Sequence, residues 1–194
     1  MEHINENWQI LKKQCEECTK CPLYKTKTNT VFGKGSQNAT VLFVGEAPGE
    51  QEDLQGIPFC GASGQLLDKY FAAIDIEKQD YYVGNIIKCR PPYNRDPLPE
   101  EQEACIGYLR EQLKLIQPRI IVCLGRIAAM RIIKPDFKIT KEHGKWFKKG
   151  KYYIMAVYHP SLLLRDPSKK EDMLRDFLEI EKMLKNIKEE KSVL

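Results

Sequence analysis

The chain has 194 residues, of which 42% are hydrophobic and 30% are charged, and its formal net charge is +4. This composition is typical of a globular protein and argues against a disordered or fibrous chain. The longest apolar run, residues 120–124, is too short to cross a membrane, and the N-terminus lacks the basic and apolar blocks of a signal peptide. We therefore expect a single domain over residues 1–194 that has no membrane partner, with a charge that permits an acidic ligand such as nucleic acid.

Strands and helices are predicted to alternate along the chain. After a polar, helix-prone segment at the N-terminus, short apolar runs rich in β-branched residues predict strands at residues 39–44, 81–87, 119–124 and 153–157. An amphipathic or capped segment that favours a helix follows each of them. This order predicts an α/β fold with three α/β/α layers and a central, mainly parallel four-stranded sheet. The basic segment at residues 138–151 is either a solvated hairpin or a strip that tracks a DNA backbone.

The cysteines indicate a metal centre. The chain has seven cysteines, an odd number, and no export signal, which argues against a disulfide framework. Cys18-x2-Cys21 and Cys89-x15-Cys105 supply four thiolates, which suit either tetrahedral zinc or a [4Fe–4S] cluster. Cys15 extends the first pair into a ferredoxin-like run, whereas Cys105 is equally typical of a small apolar residue on a buried helix face.

Five motifs occur in order at residues 18–23 (CTKCPL), 45–49 (GEAPG), 58–67 (PFCGASGQLL), 85–95 (NIIKCRPPYNR) and 159–165 (HPSLLLR). Together they resemble the iron–sulfur uracil-DNA glycosylases, family four of that superfamily, over roughly residues 15–185. The resemblance implies a glycosylase that flips uracil out of single- or double-stranded DNA and hydrolyses its N-glycosidic bond, leaving an abasic site. It also implies a [4Fe–4S] cluster held by Cys18, Cys21, Cys89 and Cys105.

The resemblance assigns three residues to recognition of the flipped base. Asn85 would read the uracil O4 and N3–H, Phe59 would stack on the ring, and His159 would hydrogen-bond the uracil O2 as charge develops on the departing base. The implied uracil-binding set also contains Glu46, Ala47 and Gly49. Without the resemblance, Asn85 is typical of a turn cap, Phe59 of a core anchor and His159 of a structural residue at a strand end.

Glu46 and His159 are the two candidate catalytic residues. Relatives outside this family place a water-positioning Asp where this chain has Ala47. Either Glu46 would act through its backbone or a bridging water, or the sugar cation would capture water with little help. Those relatives also carry a Tyr that rejects thymine where this chain has Gly49, and Glu52 is the candidate replacement. The resemblance further implies that Glu52 pairs with Asn94 and holds two loops together; composition alone favours a solvated acidic loop.

The remaining predicted contacts are with DNA and its associated proteins. Ser63, Ser161 and Arg165 would contact phosphates, and Leu163 would enter the duplex, although leucines here also suit the core. We expect a cytoplasmic, nucleoid-associated monomer, and residues 188–194 are a candidate peptide for a sliding clamp despite lacking a clear motif. Two alternatives stay open: a non-catalytic or cross-linking uracil-DNA-binding protein of the same fold, and a zinc-stabilised hydrolase of free nucleotides.

Overall fold

The computed structural model describes residues 2–74 and 76–192, and the side chains of residues 5–74 and 76–190. The helices are α1 (Glu2–Glu16), α2 (Glu50–Gln55), α3 (Ala62–Ala73), α4 (Pro99–Ile116), α5 (Arg126–Ile132), α6 (Ile139–Glu142), α7 (Pro160–Arg165) and α8 (Lys170–Ser192). The strands are β1 (Lys34–Gly35), β2 (Val41–Gly45), β3 (Tyr81–Asn85), β4 (Ile120–Leu124), β5 (Trp146–Lys149) and β6 (Tyr152–Val157). The four predicted strands correspond to β2, β3, β4 and β6.

The strands form one six-stranded sheet in the order β1-β3-β2-β4-β6-β5. The four central strands are parallel, and β1 and β5 pair antiparallel at the two edges. The predicted α/β/α fold with a mainly parallel sheet is confirmed, but the predicted count of four strands is wrong. Both missed strands are short edge strands and are partly exposed. They therefore lack the continuous apolar run that marks a strand buried on both faces.

Strand β2 shows why helices cover both faces of the sheet. Successive side chains of a strand point to opposite faces, and every residue of β2 is buried. Leu42 and Val44 join the core that contains side chains of α1 and α4, whereas Val41 and Phe43 join the core beneath α3 and α8. In the second core, the ring centroid of Phe43 lies 4.8 Å from that of Phe71 in α3. The apolar strands are thus sandwiched between two helical layers.

The N-terminal helix is held against α4 and the sheet. The Tyr108 hydroxyl of α4 donates a hydrogen bond of 3.0 Å to the backbone oxygen of Gln14. On the sheet side, the Trp8 ring packs edge-on against Phe32 and Tyr82, with centroid distances of 5.3 and 5.4 Å. These contacts place the end of α1, and the cysteines that follow it, beside α4.

The connections create a crevice at the carboxyl ends of the parallel strands. In strand order β3 lies on one side of β2 and β4 on the other, so the chain changes direction between β2 and β4. Open parallel sheets bind ligands at such a switch point, outside the carboxyl ends of the strands. The segments that follow β2, β3, β4 and β6 all emerge at this end of the strands. This explains why four motifs that are distant in the sequence can meet.

The basic segment at residues 138–151 contains α6 and half of an antiparallel hairpin, since β5 pairs with β6. Strand β6 runs six residues from the hairpin turn toward the crevice. At 3.3 Å per residue the turn therefore lies about 20 Å from the crevice. The segment therefore forms a hairpin, whose lysine-rich tip stands at the opposite end of the sheet from the candidate site; a DNA contact of this segment stays a prediction.

Two sequence expectations concern the surroundings of the protein. None of the helices in the described chain is both long and apolar enough to cross a membrane. The candidate clamp-binding peptide, residues 188–194, extends past the described residues, and its last part lies outside them.

Candidate active site

A cavity of about 810 Å³ opens at the carboxyl ends of the parallel strands. Every predicted pocket residue except Leu163 lines it. These residues are Glu46, Ala47, Gly49, Glu52, Phe59, Ser63, Asn85, Asn94, His159, Ser161 and Arg165. Four of the five sequence motifs, at residues 45–49, 58–67, 85–95 and 159–165, therefore share one cavity, which is large enough for a nucleobase and its sugar.

Asn85 ends β3 and presents an unsatisfied polar atom. Its side chain is only 1% exposed, and its Oδ1 atom is buried without a hydrogen-bond partner in the described part of the chain. A Cβ atom on neighbouring Gly45 would lie 2.4 Å from this Oδ1 and 2.8 Å from Phe59 Cζ. Only glycine fits there, so β2 approaches the amide closely. Because a buried unpaired carbonyl is costly, it marks a position that a ligand donor would complete.

Phe59 is held in the left-handed region, with φ at +51°. Its ring centroid lies 5.9 Å from that of His159, with the planes tilted by 35°. Its carbonyl accepts a hydrogen bond of 3.3 Å from Lys34 Nζ, and a Cβ on Gly64 would lie 1.8 Å from the same oxygen. Strained conformations of this kind persist where the surroundings fix them, often at functional sites. Here the strain places an aromatic face beside Asn85 and His159.

His159 follows β6 and caps the N-terminus of α7. Its Nδ1 accepts a hydrogen bond of 3.2 Å from the backbone N–H of Ser161 and lies 2.7 Å from the Ser161 hydroxyl. Since a backbone N–H only donates, Nδ1 carries no proton and the neutral ring is protonated at Nε2. Burial, and then the charge of Arg165, lower the pKa of His159 to about 4. The imidazole is therefore neutral at physiological pH and has one N–H to donate.

The positive φ of Gly125, +93°, also positions this histidine. A Cβ at Gly125 would lie 2.9 Å from His159 Cβ. A larger residue would therefore be strained in its backbone and would push the imidazole away from the cavity.

Glu46 directly follows β2 and has an unusual acidity. Burial, and then the negative charge of Asp96, raise the pKa of Glu46 to about 7, while Arg126 lowers it. Arg126 is itself paired with Asp96 at 2.7 Å, so its charge is partly offset. A carboxyl group with this pKa exchanges protons near neutral pH and is suited to acid–base catalysis.

Glu52 and Asn94 both line the cavity, but the predicted pair between them is wrong for the described chain. Glu52 Oε1 instead accepts hydrogen bonds from the backbone N–H groups of Cys60, at 3.1 Å, and Gly61, at 2.9 Å. These N–H groups lead into α3, where free donors and the helix dipole attract a carboxylate. Asn94 Oδ1 accepts a hydrogen bond of 2.8 Å from Arg90 Nε. Each residue thus stabilises its own loop.

The prediction that Leu163 contacts DNA is also wrong. Its side chain is 0% exposed and belongs to the core beneath α3 and α8, whereas Leu164 is 50% exposed. Leu162 and Leu164 both line the cavity. Residues 160–165 form a helix, in which consecutive side chains are rotated by about 100° and cannot share one direction. The run of three leucines does not show which of them faces outward, because this depends on the rotation of the helix against the core.

Five cysteines line a second, small cavity between α1, α4 and the end of β3. They are Cys15, Cys18, Cys21, Cys89 and Cys105. No group of three or more potential ligands among the described residues is arranged around a single metal ion. Lys88 is buried at this cavity, and its Nζ donates hydrogen bonds to Gln112 Oε1 at 2.7 Å and to the Phe32 oxygen at 3.1 Å. Cys123 is buried within strand β4 and does not line this cavity.

A three-layer α/β fold with a cavity at the switch point of its parallel sheet is typical of the α/β proteins that bind a ligand outside the carboxyl ends of their strands. A sequence model of the Uracil DNA glycosylase superfamily matches residues 32–184, and the chain therefore belongs to that superfamily. It is 45% identical to a Type-4 uracil-DNA glycosylase of Archaeoglobus fulgidus, covering 90% of this chain and 92% of that protein. It is 40% identical to the Type-4 uracil-DNA glycosylase of Thermotoga maritima, over 95% and 97% of the two chains. A Type-5 uracil-DNA glycosylase of Pyrobaculum aerophilum is 30% identical over 75% of this chain and 79% of its own length.

Proposed function

We propose that this protein is a uracil-DNA glycosylase of DNA repair that hydrolyses the bond between uracil and deoxyribose and leaves an abasic site. The observation that carries the proposal is the buried, unpaired Oδ1 of Asn85 in the cavity. Uracil has a hydrogen on N3 that would complete this acceptor, whereas the N3 of cytosine has none. High identity to proteins named Type-4 uracil-DNA glycosylase over nearly the whole chain supports the same activity.

The cavity walls suit a flipped pyrimidine. Asn85 would accept from N3–H through Oδ1 and donate to O4 through its amide nitrogen, a pairing that cytosine reverses. Phe59 would stack on the ring, since aromatic faces bind bases without regard to their edges. Glu52 would exclude the thymine methyl group, because its carboxylate occupies the space beside Gly49. A Cβ atom on Gly49 would lie 2.7 Å from Glu52 Oε2.

His159 would stabilise the departing base. When the bond from C1′ to N1 breaks, its electron pair moves to the uracil ring and the sugar becomes an oxocarbenium-like cation. A neutral imidazole protonated at Nε2 would donate a hydrogen bond to the developing charge on O2. No proton transfer is needed, because a donor held in place before the reaction is effective in a dry site.

Glu46 would accept a proton from the attacking water. The water oxygen forms a bond to C1′ as the base leaves, and one water proton must be removed. The carboxylate of Glu46, with a pKa raised to about 7 by burial, is a base of suitable strength for this proton. Its negative charge would also stabilise the sugar cation, which compensates for the absence of a carboxylate at Ala47.

The cavity rim would bind the DNA strand. Ser63, Ser161 and Arg165 lie at the rim, where hydroxyl and guanidinium groups can contact phosphates. Leu164, half exposed at the same rim, would take the place in the duplex that the base vacates. This assignment replaces Leu163, which is fixed in the core.

We also propose that Cys18, Cys21, Cys89 and Cys105 hold a [4Fe–4S] cluster, as the resemblance implies. The proposal is supported by the shared cavity that these thiols line; the buried Lys88 beside them would be a counter-charge for thiolate ligands, whose negative charge would oppose the lowering of the Lys88 pKa by burial. Burial raises the pKa of Cys89 to about 12, so metal binding would displace its proton. The cluster would tie the segment after α1 to β3 and α4.

The activity is tested by incubating the purified protein with single- and double-stranded oligonucleotides that contain one uracil, followed by hot alkali. We expect strand breaks at uracil and none in matched oligonucleotides with cytosine or thymine. Tight binding without breaks would instead support a non-catalytic binding protein, and a covalent uracil-DNA adduct would support a cross-linking one.

The cluster is tested on the same preparation. We expect brown protein with about four irons per chain, lost in Cys89→Ser and retained in Cys15→Ser. Colourless protein with stoichiometric zinc would contradict the cluster and favour the nucleotide hydrolase alternative.

A further inference from the structure

Tyr93 is an aromatic residue that the proposed chemistry leaves unused. Its side chain is 98% exposed, and within the described chain no ring, hydrogen-bond or ion-pair contact involves it. Its neighbours Pro91, Asn94 and Arg95 line the catalytic cavity. The ring therefore stands in solvent at the rim of the site.

The loop is built to hold this exposed conformation. Tyr93 has φ +55° and ψ +22°, and Asn94 has φ +54°, so two consecutive non-glycine residues are left-handed. The Arg90 Nε to Asn94 Oδ1 hydrogen bond of 2.8 Å anchors one side of the turn. Arg95 anchors the other side through two hydrogen bonds to the Glu101 carboxylate, at 2.6 and 2.8 Å. Such strain persists only where surrounding contacts enforce it, and here it presents a phenol ring to solvent.

The position of the ring relative to the sheet indicates what it contacts. Tyr93 follows β3, and Leu164 follows β6; these strands lie on opposite sides of the β2–β4 pair above which the cavity opens. Tyr93 and Leu164, both exposed, therefore belong to segments on opposite sides of the cavity. A strand whose uridine enters the cavity would pass near both segments.

We propose that Tyr93 stacks on a nucleobase of the substrate strand next to the flipped uridine and strengthens binding of unpaired DNA. The inference rests on the proposed function, because it requires DNA at this cavity. An aromatic ring can stack on any base, so the contact would be independent of sequence. The bases of single-stranded DNA are free to stack, whereas those of a duplex must first be unpaired.

The test uses a single-stranded oligonucleotide with one uracil and compares Tyr93→Ala, Tyr93→Phe and Tyr93→Gly with the parent protein. We expect KM to rise about tenfold in Tyr93→Ala, with the single-turnover rate at saturating enzyme unchanged. Tyr93→Phe should match the parent, because stacking needs the ring and not the hydroxyl. Tyr152→Ala is the control, since Tyr152 is a partly exposed tyrosine at the end of β6 opposite the cavity. It should leave KM unchanged.

Two further readouts separate stacking from a structural role. Glycine relieves a left-handed backbone, so Tyr93→Gly should keep or raise Tm while losing affinity as Tyr93→Ala does. The slope of log KM against log salt should not change, because tyrosine carries no charge. A parent-like KM in Tyr93→Ala, or an equal loss in Tyr93→Phe, would overturn the inference. Failure of the parent protein to release uracil would instead overturn the proposed function.

Discussion

The unpaired oxygen of Asn85 predicts that truncating this side chain lowers the activity without lowering the stability of the protein. In Asn85→Ala, the uracil N3–H and O4 enter a dry cavity without partners. Each unpaired group costs about 1–3 kcal/mol, so the transition state loses about 2–6 kcal/mol. We expect kcat/KM for uracil release to fall by about 30-fold to about 26,000-fold.

The same substitution removes a buried acceptor that has no hydrogen-bond partner among the described residues. No hydrogen bond of Oδ1 is lost on truncation, and the vacated space merges with an existing cavity. We therefore expect the free energy of unfolding to stay within about 1 kcal/mol of the parent value or to increase. Urea denaturation measures this quantity, and the uracil-oligonucleotide assay measures the activity.

Gln112 is the matched control because it is a buried amide whose hydrogen bonds are all made. Its Oε1 accepts from Lys88, and its Nε2 donates to the Phe32 oxygen at 3.0 Å and to the Tyr82 hydroxyl at 3.2 Å. Gln112→Ala should lower the free energy of unfolding by at least about 3 kcal/mol, since it leaves a buried ammonium group short of an acceptor. If Asn85→Ala is as destabilised as Gln112→Ala, or releases uracil at a parent-like rate, the assignment of Oδ1 to the base is wrong.

Two further predictions concern the pH profile and the rim. Because its pKa is about 7, Glu46 gains its negative charge as pH rises through neutrality, and kcat/KM should increase from pH 6 to pH 8. Glu46→Gln should lack this rising limb of the pH profile. Because the pKa of His159 is lowered to about 4, this ring stays neutral over that range, and a limb that persists in Glu46→Gln would refute the assignment. At the rim, Leu164→Ala should slow uracil release from duplex DNA at unchanged Tm, whereas Leu163→Ala should lower the free energy of unfolding by about 2–5 kcal/mol. Equal Tm losses in the two leucine variants would contradict the helical placement.

Much of the fold follows from local sequence patterns. The β-branched runs of β2 and β4 are apolar at every position because helices cover both faces of the sheet, and this continuous signal identified the parallel core. Asn85 ends β3 and His159 follows β6, and parallel strands bring their carboxyl ends together, so the sheet accounts for the cavity that the resemblance implied for these two residues. The sequence pattern therefore determined the layers, the central strands and the edge that carries the site.

Tertiary contacts decided the features that depend on residues distant in the chain. Strand β5 exists as the edge partner of β6, and an edge strand needs no apolar run. Glu52 turns to the start of α3 rather than to Asn94, because free backbone N–H groups lie there. The acidity of Glu46 and the neutral state of His159 arise from burial and from charges on other segments, which no local pattern encodes. Local periodicity thus determines which segments form and which face is apolar, while partners and charge states are set only when the segments pack.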